Sequence, residues 1–197
     1  SSLRRISNKG LIKILVGMPK LSEIENDKSG HIEIETDCRF NNIKSLSKMN
    51  GKLDIKNAKI YSIEVLELPS GASMHLLEGT KMDNVKKLIV KEKASLILEK
   101  DTINRQFLKE IINFGTIDSY IPLFNLKSIY NGPNANLNLY NEVKVLGRRL
   151  TTEDSKLINV GKYTQIIQDV FKKSNKKDSD RIDIESKFGV FNEGSIR

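Results

Sequence analysis

At 197 residues the chain is long enough to bury one substantial core, and 33 basic against 25 acidic residues give a net charge of +8. No apolar run approaches the roughly 20 residues that cross a bilayer as a helix. A single cysteine, Cys38, excludes an internal disulfide and a Cys-rich metal site. The start, Ser-Ser-Leu-Arg-Arg, has neither an initiator Met nor an apolar leader core, as expected of a processed or excised segment. Lys, Asn and Ile are abundant together, so the positive balance reads as compositional bias along the whole chain. An attraction for anionic glycan, acidic membrane surface or nucleic acid is the alternative. Trp is absent and aromatic residues make up 6%, which argues against a stacking platform for single strands or sugar rings.

In chain order, one phrase recurs: a small residue followed by two apolar residues separated by one outward residue. It reads Gly10-Leu11-Ile12-Lys13-Ile14, then Gly30-His31-Ile32-Glu33-Ile34, then Gly51-Lys52-Leu53-Asp54-Ile55. It returns at Ser73-Met74-His75-Leu76, Ala94-Ser95-Leu96-Ile97-Leu98, Gly115-Thr116-Ile117 and Ala135-Asn136-Leu137-Asn138-Leu139. The first buried position falls at 12, 32, 53, 74, 96, 117 and 137, with gaps of 20 to 22 residues. Alternation with period two marks a strand with one buried face. Upstream of most phrases lies an apolar pair three apart: Leu21/Ile24, Ile43/Leu46, Ile63/Leu66, Val85/Leu88, Leu108/Ile111 and Leu126/Ile129. Polar turns containing Gly, Asn, Pro or Asp join the two segments.

Units this short cannot hold paired helices, which need about 33 residues in known arrays. The chain is therefore expected to be all-β, a single-chain parallel β-solenoid of about seven to nine coils of 20–23 residues. Equivalent strands stack about 4.8 Å apart and bury a continuous column of Ile and Leu. The alternation slips at Ser119, where Tyr120-Ile121-Pro122 predicts a bulge or corner. Residues 1–150 are assigned to the solenoid. Residues 151–197 are expected to begin with an amphipathic helix over 161–173 that covers the stack, followed by a last coil around Val190 and Phe191.

The small-x-apolar-x-apolar phrase with a period near 21 resembles the right-handed parallel β-helix of secreted bacterial adhesins, the autotransporter passengers and filamentous haemagglutinin-like proteins. Ile63-Glu64-Val65-Leu66-Glu67-Leu68-Pro69, Val85–Val90 and Phe124–Ile129 resemble the BspA-type leucine-rich repeat, without a consistent Asn after the strand. The stretch 46–55 is similar to the receptor L domain. These resemblances imply a solenoid that binds macromolecules at the surface of a bacterium, in secretion, or as an effector delivered into a host cell.

Stacking at one coil per 20–22 residues sets outward residues side by side. Between the two buried positions the column runs Lys13, Glu33, Asp54, His75, Ile97, Asp118, Asn138. Glu33, Asp54 and His75 are thus the candidates for a polysaccharide-active site. Two carboxylates about 5 Å apart can serve as nucleophile and acid in glycoside cleavage. The plainer reading is a polar solvent face, with no catalytic residue. In the next outward column Tyr120 and Tyr140 form an aromatic step, either a binding contact or the seat of the C-terminal helix. Lys52, Lys56, Lys86 and Lys87 lie on outward positions and make a candidate positive strip. No phosphate-cradling Gly loop, His pair for a metal or nucleophile elbow occurs, so no cofactor and no metal are expected. The expected function is a non-catalytic binding module for a host protein or anionic glycan, with nucleic acid a lesser alternative. A polysaccharide-active enzyme, and a structural solenoid that self-associates through its ends, are the other readings.

Overall fold

The computed structural model describes residues 3–37, 39–104, 106–141, 143–145, 148–149, 190–192 and 195–196. Among them there is no helix, and nearly all strand pairing is parallel. The principal sheet contains eight strands: Leu11–Ile14, His31–Glu35, Lys52–Lys56, Ser73–Leu76, Ser95–Leu98, Thr116–Ser119, Asn136–Leu139 and Ser195–Ile196. Its first seven rungs enclose six full turns of a parallel β-solenoid, and Ser195–Ile196 stacks on the seventh. The helix expected over 161–173 lies outside the described residues.

Each turn has three sides. The second carries Arg5–Asn8 paired with Glu23–Asn26, a bridge from Asn26 to Met49, and then a five-stranded sheet. That sheet runs Val65–Leu68, Lys87–Val90, Glu110–Asn113, Ser128–Asn131 and Val190–Asn192. The third side escapes the two-segment reading because its pieces are so short. Arg39–Phe40 pairs with Lys59–Ile60, and single bridges join Lys59 to Lys81 and Met82 to Ile103. A two-residue strand shows no alternation, yet Phe40, Ile60 and Met82 are fully buried there. Leu123–Leu126 then pairs with Val143–Val145, which turns back antiparallel onto Arg148–Arg149.

The core is the stacked interior of this triangle. Ile32, Leu53, Met74, Leu96, Ile117 and Leu137 are completely buried in one column, and Ile34, Ile55, Leu76 and Leu98 in the next. Each such side chain contributes about 1.5–3 kcal/mol by leaving water. The slip expected at Ser119 does not occur. Ser119 is in register with Leu98 and Leu139 and is buried, although its hydroxyl finds no partner. The corner follows it, at 120–122.

Two corner designs join the second side to the principal sheet. Asn8-Lys9-Gly10, Met49-Asn50-Gly51 and Asn113-Phe114-Gly115 turn in one intervening residue and end on Gly. Leu68–Ala72, Val90–Ala94 and Asn131–Ala135 use three intervening residues, the last of them left-handed: Gly71 at φ 77°, Lys93 at 59° and Asn134 at 60°. Buried asparagines pin the corners towards both ends of the stack. Asn8 Nδ2 donates to Asn26 Oδ1 at 2.9 Å, and Asn113 Nδ2 donates to Asn131 Oδ1 at 2.7 Å. Between them Met49, Leu68 and Val90 hold equivalent places with apolar side chains.

Candidate functional site

The outward face of the principal sheet gathers most of the residues singled out from the sequence. Registers Lys13↔Glu33↔Asp54↔His75↔Ile97↔Asp118↔Asn138 hold throughout, so the expected column exists on the strands as read. Its side chains make different partners from those expected. His75 stands beside Asp54 in register, but its Nε2 lies 3.2 Å from Glu99 Oε1. Asp54 is instead held by His31, whose Nε2 is 2.8 Å from Asp54 Oδ2, and by Lys52 Nζ at 2.8 Å from the same oxygen. Glu33 Oε2 receives Lys13 Nζ at 2.7 Å. His31 was legible through the same register arithmetic. It belongs to the outward column that directly follows the small residue: Leu11, His31, Lys52, Ser73, Ser95, Thr116, Asn136.

The lysine strip is a set of cross-strand ion pairs. Lys56 reaches Glu35 at 2.8 Å, Lys86 reaches Glu64 at 2.9 Å and Lys87 reaches Glu110 at 3.0 Å. Together with Lys52 on Asp54, each of the four candidate cations is matched by a carboxylate one rung away or on its own strand. Opposite charges on neighbouring strands support the stacking register, each pair contributing up to about 1 kcal/mol.

The same zipper continues on the other sides, with consequences for pH. Hydrogen bonds from Lys48 and Arg5 hold the Glu25 carboxyl below its ordinary value, as Lys56 does for Glu35 and Lys59 for Asp37. A carboxyl depressed in the folded state stabilises above its unfolded pKa, and that contribution is lost as pH falls through the lower folded value. The lysines, raised by the same contacts, keep their contribution until pH rises past about 10. The melting temperature is therefore expected to be flat between about pH 5 and pH 9 and to fall below about pH 4. High salt should lower the neutral plateau and flatten the acid limb, because exposed pairs are screened. An equal melting temperature at pH 3 and pH 7, measured by circular dichroism, would contradict this.

Towards the far end of the face, Tyr120 and Tyr140 stack with ring centroids 4.5 Å apart and planes 9° from parallel, both exposed. Asn138 Nδ2 donates to Asp118 Oδ1 at 2.7 Å beside them, and the Tyr140 hydroxyl donates to the same oxygen at 3.5 Å. Partial loss of solvent and the Asp118 charge raise the Tyr140 phenol above its ordinary value. The pair thus presents protonated hydroxyls at physiological pH.

These features define the class as a parallel β-solenoid repeat protein with a flat, polar, laddered face. No protein-family model matches the chain, and comparison with curated proteins and with solved structures finds no match.

Proposed function

We propose that the chain is a non-catalytic binding module whose principal-sheet face docks a macromolecular partner, a protein or a glycan. The observation that carries this reading is the pairing state of the face. Glu33 and Asp54 are each closed by a cation or an imidazole, whereas Tyr120 and Tyr140 stand exposed as a rigid aromatic step. Stacked tyrosines lose little conformational freedom on contact, and Tyr is enriched where binding energy concentrates. A secreted or surface-displayed adhesion role suits such a module and rests on the resemblance to β-helical adhesins.

The second reading, glycan cleavage, is favoured by one distance. A carboxylate oxygen of Glu33 and one of Asp54 lie within 4.8 Å of each other, near the spacing retaining glycosidases use. Against it, the pair sits on an open sheet face with both carboxylates in ion pairs.

Immobilised polysaccharide and protein panels separate the two readings when retention and polymer length are measured together. The module is expected to be retained without shortening any polymer. Tyr140→Ala should weaken retention about tenfold, the equivalent of about 1.4 kcal/mol. Depolymerisation that disappears with Asp54→Ala would establish the enzyme instead.

A further inference from the structure

His31 and Glu33 stand two residues apart on one strand and so project from the same face of the sheet. The neighbouring strand sets Lys52 opposite His31 and Asp54 opposite Glu33. His31 Nε2 lies 2.8 Å from Asp54 Oδ2 and 3.7 Å from Glu33 Oε1, and one ligand atom from each residue lies within 4.8 Å of the other two. The Asp54 side chain is 17% exposed, and its second oxygen, Oδ1, is sealed from solvent and accepts no hydrogen bond. A buried carboxylate oxygen without a donor is costly to keep, and a cation held by both oxygens would satisfy it. We propose that His31, Glu33 and Asp54 form a three-ligand site for a first-row divalent cation of the zinc type.

The donor set selects the metal. One imidazole nitrogen and two carboxylates suit zinc, with a fourth position left for water. Calcium takes about six to eight oxygens, more than these residues offer. Closing the site requires ligand atoms about 3.3 Å apart, from metal–ligand distances of about 2.0–2.1 Å in a tetrahedron. Side-chain rotation of Glu33 and Asp54 supplies that contraction, while the ladder holds the backbone of both strands.

Two ammonium groups compete for the same oxygens. Lys13 Nζ is 2.7 Å from Glu33 and Lys52 Nζ is 2.8 Å from Asp54, on side chains 58% and 50% exposed. Exposed ion pairs of this kind contribute little, and a long flexible lysine returns to water easily. A divalent ion in direct contact with two carboxylates and an imidazole displaces them. His75, with Glu99 as its single carboxylate partner among the described residues, lacks the third ligand and serves as the internal control.

The inference stands apart from the binding-face reading, and titration of Zn²⁺ into the full chain carrying Cys38→Ser tests it alone. Calorimetry is expected to show one equivalent bound, with the ring resonances of His31 shifting and those of His75 unmoved. His31→Ala and Asp54→Asn should each weaken binding tenfold or more, on the order of the losses seen when metal-site groups are removed. The double variant Lys13→Met/Lys52→Met should bind Zn²⁺ more tightly, an effect a merely structural cluster would not show. Calcium at the same concentration should leave the His31 ring unshifted. Failure to bind at millimolar Zn²⁺, an affinity unchanged by His31→Ala, or weaker binding in the lysine double variant would each overturn the proposal.

Discussion

Gly51→Ala is expected to destabilise the solenoid by about 4 kcal/mol, at the severe end of single substitutions. An added Cβ at Gly51 would lie 2.2 Å from the Asp27 carbonyl oxygen and 2.3 Å from that of Gly30. Both are backbone atoms of the preceding corner, and that corner is tied down on each side. Gly30 N–H donates to Asp27 O at 2.8 Å, and Lys52 N–H donates to Gly30 O at 2.9 Å. Neither oxygen can retreat without breaking a ladder bond, so the clash spreads through two rungs. Gly10 is the matched control: it occupies the equivalent place in the first rung, and its Cβ would meet nothing within 4 Å. Gly10→Ala should change stability by less than about 0.5 kcal/mol. In thermal melts of a chain this size the two variants should therefore separate by roughly 8–16 °C. Equal melting temperatures would show that the coils are not stacked this closely.

Asn26→Ala is expected to cost about 3 kcal/mol, or roughly 6–12 °C, through stranded hydrogen-bonding groups rather than lost apolar area. The Asn26 amide donates to Gly30 O at 2.8 Å and to Lys52 O at 3.0 Å, and its oxygen accepts from Asn8 at 2.9 Å. The side chain links three successive rungs at a corner where it is 1% exposed. Replacing it by Leu brings no relief. Gly30 leaves so little room that a Cβ there would sit 1.9 Å from the Asn26 oxygen, so the pocket is shaped for a flat amide. Denaturant melts should show both variants with a lowered midpoint. Stability of Asn26→Leu equal to wild type would contradict the role given to the ladder.

The repeat was legible because seven pairs of buried positions keep one spacing and one alternation. From Ile12 to Leu137 the paired strands follow the register that spacing implies, including the column through Glu33, Asp54 and His75. The third side was not legible, since Arg39–Phe40 and Lys59–Ile60 are too short to show a period. Ser119 misled for the opposite reason. A polar side chain at a buried place looks like a break in pattern, yet the backbone carries it through in register.

Side-chain partnership was the larger gap at the site. Register fixes which residues are neighbours across a rung, but not whether a long side chain reaches straight across or diagonally. His75 reaches diagonally to Glu99, and His31 reaches diagonally to Asp54. The four lysines read as a positive strip for the same reason, because each carboxylate partner lies 2, 21, 22 or 23 residues away in sequence. The Asn8–Asn26 and Asn113–Asn131 contacts likewise join residues 18 apart, and nothing in local pattern distinguishes a buried Asn from a turn Asn.

Both the binding face and the metal site depend on Glu33 and Asp54 being neighbours one rung apart, and oxidative cross-linking measures that directly. In a Cys38→Ser background, the pair Glu33→Cys and Asp54→Cys places two thiols on registered positions of adjacent strands. A disulfide needs Cα atoms about 4.4–6.8 Å apart, the range that neighbouring strands provide. The pair Glu33→Cys and His75→Cys spans two rungs, about 9.6 Å, beyond that reach. Rapid quantitative disulfide formation in the first variant and none in the second is the expected result. Cross-linking of the second variant, or none in the first, would contradict the ladder on which this account rests.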